Sequence, residues 1–100
     1  MALKRYITVI DDDNQTRTIA SDVTGMLFNF TIYNNHNNTD TNQPEITLKL
    51  IIDGNEFIIY KKVLDKNETF TWKPEISLNG DDIKIYSTLK DVNIVTQVLQ

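Results

Sequence analysis

The sequence predicts an all-β fold, an antiparallel β-sandwich of about seven to eight short strands in one domain that spans residues 1–100. β-Branched residues are abundant, with 13 Ile and 12 Thr, and they fit a pleated surface. Apolar and polar residues alternate with a period of two, and turn residues separate the alternating runs. A barrel-like closure of the two sheets is an open alternative.

Strand alternation is clearest in two segments of the chain. Every second residue from Met26 to Ile32 is apolar, which predicts that Met26, Phe28, Phe30 and Ile32 share one face of a strand. The run from Ile46 to Ile52 repeats the pattern. The predicted strands lie near residues 3–10, 15–20, 25–33, 45–52, 56–62, 68–72, 82–88 and 92–99.

Turn residues mark the ends of these strands. Asp53-Gly54 between two apolar runs predicts a type I′ hairpin, because both central residues of that turn need positive φ. Further turns are predicted at Asp11–Asn14 and at Asn79–Asp81. Pro74 predicts that the preceding strand ends at Trp72. Residues 76–78 fit either a short strand or one helical turn.

Composition limits the functional classes. The net charge of -4 argues against a nucleic-acid partner, since phosphates demand a basic surface. Without cysteine there is no disulfide, no thiolate zinc site and no thiol nucleophile. The first residues do not resemble a signal peptide, and no run is long enough for a membrane helix. We therefore expect a soluble chain that is cytosolic at synthesis, with no membrane partner.

Catalytic and metal chemistry find little support in the residues. His36 is the single histidine, and no nucleophile motif such as G-x-S-x-G is present, so we expect no enzyme. Calcium is the one cofactor considered, and solvated turns are favoured over it because consecutive aspartates in an extended chain point in alternating directions. The aspartates concerned are Asp11, Asp12, Asp13, Asp40, Asp81 and Asp82.

A ten-residue polar segment, Asn34–Gln43, separates two apolar strands. It predicts a solvated outward loop with Asn35, His36, Asn37 and Asn38 exposed. Aromatic residues raise a different possibility, a platform on which sugars stack, although ordinary packing is favoured. The aromatic residues are Tyr6, Tyr33, Tyr60, Trp72 and Tyr86.

The order of motifs resembles small all-β accessory proteins of tailed-phage virions. The resemblance covers roughly residues 22–99 and is carried by VTGMLFNFTIYNN, EITLKLIIDGNEFII and NETFTWKPEISLNGDDIKIYS. It implies an Ig-like sandwich with a structural role and no catalytic residue. In such a scaffold Gly80 takes a turn conformation, and Asp81 accepts hydrogen bonds from backbone N–H groups.

The expected function is therefore that of a virion structural protein. The first choice is a capsid decoration protein that bridges major capsid subunits, as a homo-oligomer, for which a trimer is the guess. The alternatives are a tail, neck or baseplate subunit and a carbohydrate-binding or adhesin module. Residues 1–10 are the expected docking strand or arm, with Lys4, Arg5 and Tyr6 as partner-binding residues.

Overall fold

Seven β-strands build the computed structural model, which describes residues 2–37, 39 and 42–100. Every strand pair is antiparallel, and that part of the chain contains no helix. The predicted all-β antiparallel class is confirmed. The strands are β1 (Leu3–Ile10), β2 (Gln15–Asn34), β3 (Glu45–Ile52), β4 (Asn55–Val63), β5 (Thr69–Trp72), β6 (Ile76–Ser87) and β7 (Val92–Leu99).

The strands form one hydrogen-bonded sheet in the order β1-β7-β2-β6-β3-β4, with β5 on β2. The long strand β2 belongs to two layers, because residues 15–27 pair with β6 and residues 26–34 pair with β7. One layer is then β1-β7-β2-β5, and the other is β2-β6-β3-β4. With β2 counted once in each layer, this is the strand order of a jelly roll. In an Ig domain the first two strands are hydrogen-bonded neighbours, whereas here β7 lies between β1 and β2.

The hydrophobic core lies between the two layers. Phe30 and Ile94 come from the first layer, Leu48 and Ile85 come from the second, and all four side chains are fully buried in one cluster. Alternation along β7 illustrates the origin of this core, since every second residue from Val92 to Val98 is buried. The apolar positions of the alternating pattern are thus the residues that join the layers.

The structure corrects two predictions about β2. Residues 15–20 and 25–33 are one strand, because the ladder with β6 continues through three register shifts between Thr18 and Thr24. Met26, Phe28, Phe30 and Ile32 do not share one face. A register shift between Leu27 and Asn29 inserts an extra residue, so Leu27 is fully buried while Phe28 is half-buried.

The turn predicted at Asn79–Asp81 is also wrong. These residues lie inside β6, where Gly80 has φ +69° and no partner in the ladder between Val23↔Asp81 and Thr24↔Asn79. Gly80 therefore forms a bulge and not a chain reversal. Residues 76–78, for which a short strand and one helical turn were both open, are strand. Asp81 Oδ2 accepts a 3.0 Å bond from the backbone N–H of Asn79, as predicted.

Two glycines shape the sheet at places that other residues do not tolerate. Asp53 and Gly54, with φ of +51° and +78°, form the predicted type I′ turn between β3 and β4. Gly25 has φ +147°, and a Cβ atom there would lie 2.1 Å from the carbonyl oxygen of Leu99. Gly25 thus allows β2 to approach the end of β7 at the point where β2 passes between layers.

Candidate functional site

The outer edge of β1 is the candidate site. β1 pairs with β7 in an unbroken register from Leu3↔Leu99 to Ile10↔Val92. Ala2 and Gln100 exchange two backbone hydrogen bonds of 2.7 and 2.9 Å, which anchors the start of the strand. Among the described residues, no strand pairs with the other edge of β1. The predicted docking segment is therefore a regular edge strand of the sheet, not a detached arm.

The outward face of β1 carries apolar side chains. Leu3, Ile7 and Val9 are 48%, 70% and 47% exposed, and Arg5 lies between them in the same alternating row. Ile7 stands opposite Val95 of β7, and Leu3 stands opposite Leu99, so the apolar row continues onto the neighbouring strand. An exposed, regular, apolar edge of this length favours pairing with another strand.

The structure divides the three predicted partner-binding residues. Lys4 and Arg5 are exposed, but Tyr6 is half-buried against the core. The Tyr6 hydroxyl donates a 2.8 Å hydrogen bond to Gln100 Oε1, and Lys4 Nζ lies 5.2 Å from the Tyr6 ring centroid. Tyr6 thus ties β1 to the end of the chain.

Four connecting loops meet at one end of the sandwich. The N–H of Asn34 donates to the carbonyl of Glu68, and the N–H of Asn35 donates to the carbonyl of Asp91, both at 2.9 Å. The N–H of Lys90 donates to Asp13 Oδ1 at 3.0 Å. These bonds join loops that are distant in sequence, so this end of the molecule is a second candidate surface.

Five of the six aspartates considered for calcium accept hydrogen bonds within the described residues. Asp12 Oδ1 accepts from Asp13, and Asp82 Oδ1 accepts from Asp22, where φ is +53°. Asp11 Oδ1 accepts side-chain bonds from Gln15 and Arg17 at 3.0 and 2.9 Å. These bonds stabilise turns and a bulge. Asp40 lies outside the described residues.

Two side chains donate hydrogen bonds to the carboxyl of Asp11. The hydrogen bond from the Gln15 side chain, followed by the bond from Arg17, holds the pKa of the Asp11 carboxyl below its ordinary value of 3.8. Both donors favour the charged form. The Arg17–Asp11 ion pair is exposed, at 44% and 63% for the two side chains, so it contributes only to the local turn between β1 and β2.

The polar loop is anchored at its start. Asn34 is buried, and its side-chain amide donates to the carbonyl of Asp65 at 2.8 Å. His36, predicted to be exposed, is half-buried, and its Nδ1 lies 3.1 Å from the carbonyl oxygen of Lys90. Packing against the 88–91 loop covers that side chain. Asn35 and Asn37 are exposed as predicted, and Asn38 lies outside the described residues.

The aromatic residues do not form one platform. Tyr60 and Trp72 stack with ring centroids 4.6 Å apart and pack against the core, where they join β4 to β5. Tyr86 donates a hydrogen bond to Asn14 Oδ1 at 2.8 Å. Tyr33 is exposed on the outer face of β2, apart from that stack. Ordinary packing thus accounts for Tyr60 and Trp72.

In the part of the chain that the structure describes, no pocket opens and no three acidic or histidine side chains converge as metal ligands. Within the same residues, no helix is long and apolar enough to cross a membrane.

Comparisons with models of known protein families, with curated proteins and with solved structures find no match. The resemblance to phage accessory proteins therefore remains a prediction that rests on the motifs quoted above.

Leu3, Ile7 and Val9 are the edge residues that the sequence prediction missed, because it singled out the charged and aromatic members of β1. The signal for them is present in LKRYITVI, where three of the four odd-numbered residues are apolar and lie on the face opposite Thr8 and Ile10. A strand that is apolar on both faces predicts either a central position or a contact at the edge.

Proposed function

We propose that this chain is a structural subunit of a tailed-phage virion, a capsid decoration protein that joins major capsid subunits. The observation that carries the proposal is the outer edge of β1, which combines an unbroken eight-residue register with exposed Leu3, Ile7 and Val9. Such an edge is suited to strand addition, in which main-chain bonds supply affinity and side chains supply specificity.

Two further observations support this role. The motifs that resemble phage accessory proteins fall on β2, on the β3–β4 hairpin and on β5–β6, which form much of both layers. Jelly rolls are also used by viral capsid proteins and by lectins. Because one fold serves many functions, this second point is an analogy and does not choose between a capsid role and sugar binding.

The proposed mechanism is cementing. A homo-oligomer of this chain would bridge neighbouring capsid subunits and add buried contact area, for which a specific interface of about 1,600 Å² is sufficient. The chain supplies no reacting group in this mechanism. Its contribution is a rigid sheet, held by a core with ten or more fully buried aliphatic side chains, that presents surfaces at fixed positions.

The test is the copy number of the chain in purified virions, measured by quantitative mass spectrometry against the major capsid protein. A decoration protein is expected in on the order of hundreds of copies per virion, because it binds at every repeat of a closed symmetric shell. Binding of purified protein to capsids from a deletion strain provides the second readout. A few copies per particle would instead indicate a tail, neck or baseplate subunit, and absence from virions would contradict the proposal.

A glycan array separates the remaining alternative. Selective glycan binding that is abolished by Tyr33→Ala, with an unchanged melting temperature, would favour a carbohydrate-binding module. Tyr33 is suited to this test because it is exposed, whereas Tyr60→Ala would also remove the stack on Trp72.

A further inference from the structure

We propose that a second copy of this chain occupies the outer edge of β1, with the two β1 strands antiparallel across a two-fold axis at Tyr6. The inference deepens the homo-oligomer part of the proposed function and replaces the expected trimer with a two-fold dimer. It assigns the β1 edge to the contact between copies, which leaves the loop end as the candidate surface for the capsid. Dimer formation is measured on the purified chain in the absence of virions. A failure of the dimer proposal can therefore be distinguished from a failure of the proposed capsid role.

The backbone pattern determines which groups face the edge. Ala2 and Gln100 form a hydrogen-bonded pair, and such pairs alternate along an antiparallel ladder. The backbone N–H and C=O groups of the even-numbered residues of β1 therefore point toward β7. Leu3, Arg5, Ile7 and Val9 then direct one N–H and one C=O each outward, eight groups in all. An axis at Tyr6 pairs Leu3 with Val9 of the second copy and Arg5 with its Ile7, so that all eight groups are used.

The side chains fit the same register. Each Leu3–Val9 pair is apolar, and the aliphatic part of Arg5 lies beside Ile7 of the second copy. Lys4 faces Thr8, so no two like charges stand directly opposite each other. An axis at Lys4 or Arg5 would place two like charges in contact, and an axis at Ile7 would leave Leu3 unpaired and reduce the hydrogen bonds from eight to six.

A second copy of β1 suits this edge better than the other edges of the molecule. β4 carries a bulge where Leu48↔Tyr60 is followed by Lys49↔Ile58, and β5 has four residues. The first part of β2 has three register shifts. β1 is the longest regular edge among the described strands, and a two-fold pair closes it against further association.

The first experiment measures molecular mass through a dilution series by sedimentation equilibrium. We expect a dimer of twice the 11.6 kDa chain mass that dissociates on dilution. Ile7→Lys would place a cation opposite Arg5 and should raise the dimer Kd by at least about tenfold. Ile58→Lys on β4 is the matched control, since Ile58 is also an exposed edge isoleucine, and its Kd should stay within about twofold.

Two further variants test the register. Combining Arg5→Glu with Ile7→Lys places opposite charges across the axis and should restore the dimer. Because the chain has no cysteine, Tyr6→Cys should give a disulfide dimer on mild oxidation, since a non-hydrogen-bonded pair has a Cα separation of about 4.5 Å. Arg5→Cys and Ile7→Cys should crosslink more slowly. Circular dichroism and the melting temperature check that each variant folds.

Three results would overturn the inference: a monomer at every concentration, a dimer lost through Ile58→Lys and kept in Ile7→Lys, or fastest crosslinking at a position other than 6. A monomer that still decorates capsids would leave the proposed function intact. A dimer that is missing from virions would contradict the proposed function and support the inference.

Discussion

The two terminal strands of the sheet, β1 and β4, differ in a way that exposure alone does not reveal. Both expose aliphatic side chains, and Ile7 and Ile58 are the two most exposed large apolar residues, at 70% and 57%. β1 keeps one register along its whole length, whereas β4 is interrupted by a bulge at Ile59. A bulge twists an edge and disrupts its row of backbone groups, so β4 is protected against strand addition while β1 is not.

Charge reinforces this difference. Glu56 on β4 forms a 2.9 Å ion pair with Lys49 of β3, so part of that strand's polar surface is satisfied within the molecule. β1 carries Lys4 and Arg5 and no acid. β4 thus differs from β1 in charge as well as in the regularity of its backbone, and an exposed isoleucine by itself does not distinguish the two strands.

The largest effect is expected from a substitution that disturbs β7, the strand that pairs with β1. Gly25→Ala places a Cβ atom against the Leu99 carbonyl and requires β2 or β7 to move. We expect a loss of about 3 kcal/mol in the free energy of unfolding, from clash and positive φ together. Gly54→Ala in the β4 hairpin is the control, because nothing lies within 4 Å of its Cβ position, and it should lose about 1 kcal/mol. Urea unfolding measures both values. Equal losses would show that the close approach at Leu99 is unimportant.

Proline substitutions in β1 sharpen the comparison at the level of single N–H groups. Thr8 is buried and directs its N–H to β7, so Thr8→Pro should lose about 2–3 kcal/mol of stability. Ile7 directs its N–H to the outer edge, so Ile7→Pro should lose less than about 1 kcal/mol in the monomer. Thermal unfolding of dilute protein tests the pair. The reverse ranking would contradict the hydrogen-bond alternation assigned to β1.

A smaller effect concerns β7, which lies between β1 and β2. Among the described residues, Thr96 Oγ1 is the one buried side-chain polar atom without a hydrogen-bond partner. Thr96→Val should stabilise the protein by about 1 kcal/mol, since it removes an unsatisfied hydroxyl at similar volume. Ser87→Ala is the matched control: its buried hydroxyl donates a 2.7 Å bond to the Leu89 carbonyl, and its loss should destabilise by about 1 kcal/mol. Denaturant midpoints that shift in the same direction for both variants would refute this explanation.

The smallest effect lies in the turn that connects β1 to β2. Because the pKa of Asp11 is lowered in the folded state, its carboxylate stabilises the fold above pH 3.8. That contribution is lost as the pH falls from 3.8 through the lowered pKa. Asp11→Asn should therefore flatten the acid limb of the stability curve in this window. Arg17→Gln should move the pKa of Asp11 back toward its ordinary value, as followed by NMR titration. An unchanged titration in Arg17→Gln would exclude the ion pair as a cause.

Much of the fold was predictable from local patterns. Ile46, Leu48 and Leu50 are buried as their alternation predicts, and the Asp53-Gly54 turn has the expected positive φ values. Local patterns failed where β2 and β6 carry bulges. Asn79-Gly80-Asp81 has the composition of a turn, but the ladder with β2 and the bond from Gly80 N–H to Thr24 Oγ1 keep it in the strand. Such cross-strand support is invisible in a single segment.

The candidate site was predicted as a segment but not as a surface. Residues 1–10 were predicted as a docking strand or arm with Lys4, Arg5 and Tyr6 as its partner-binding residues. The structure adds that Leu3, Ile7 and Val9 form the outward row. Whether a strand is central or terminal depends on which strands pair, and the pairing of β1 with β7 joins the two ends of the chain. A sequence pattern does not contain that long-range information.

Amide hydrogen exchange along β1 at several protein concentrations tests the docking edge most directly. In dilute protein, Tyr6 and Thr8 should exchange slowly because their N–H groups bond to β7, and Arg5, Ile7 and Val9 should exchange fast. At high concentration, the amides of Arg5, Ile7 and Val9 should become protected while Ile58 on β4 keeps its rate. Fast exchange at Arg5, Ile7 and Val9 at every concentration would contradict a β1 edge that pairs with a second copy.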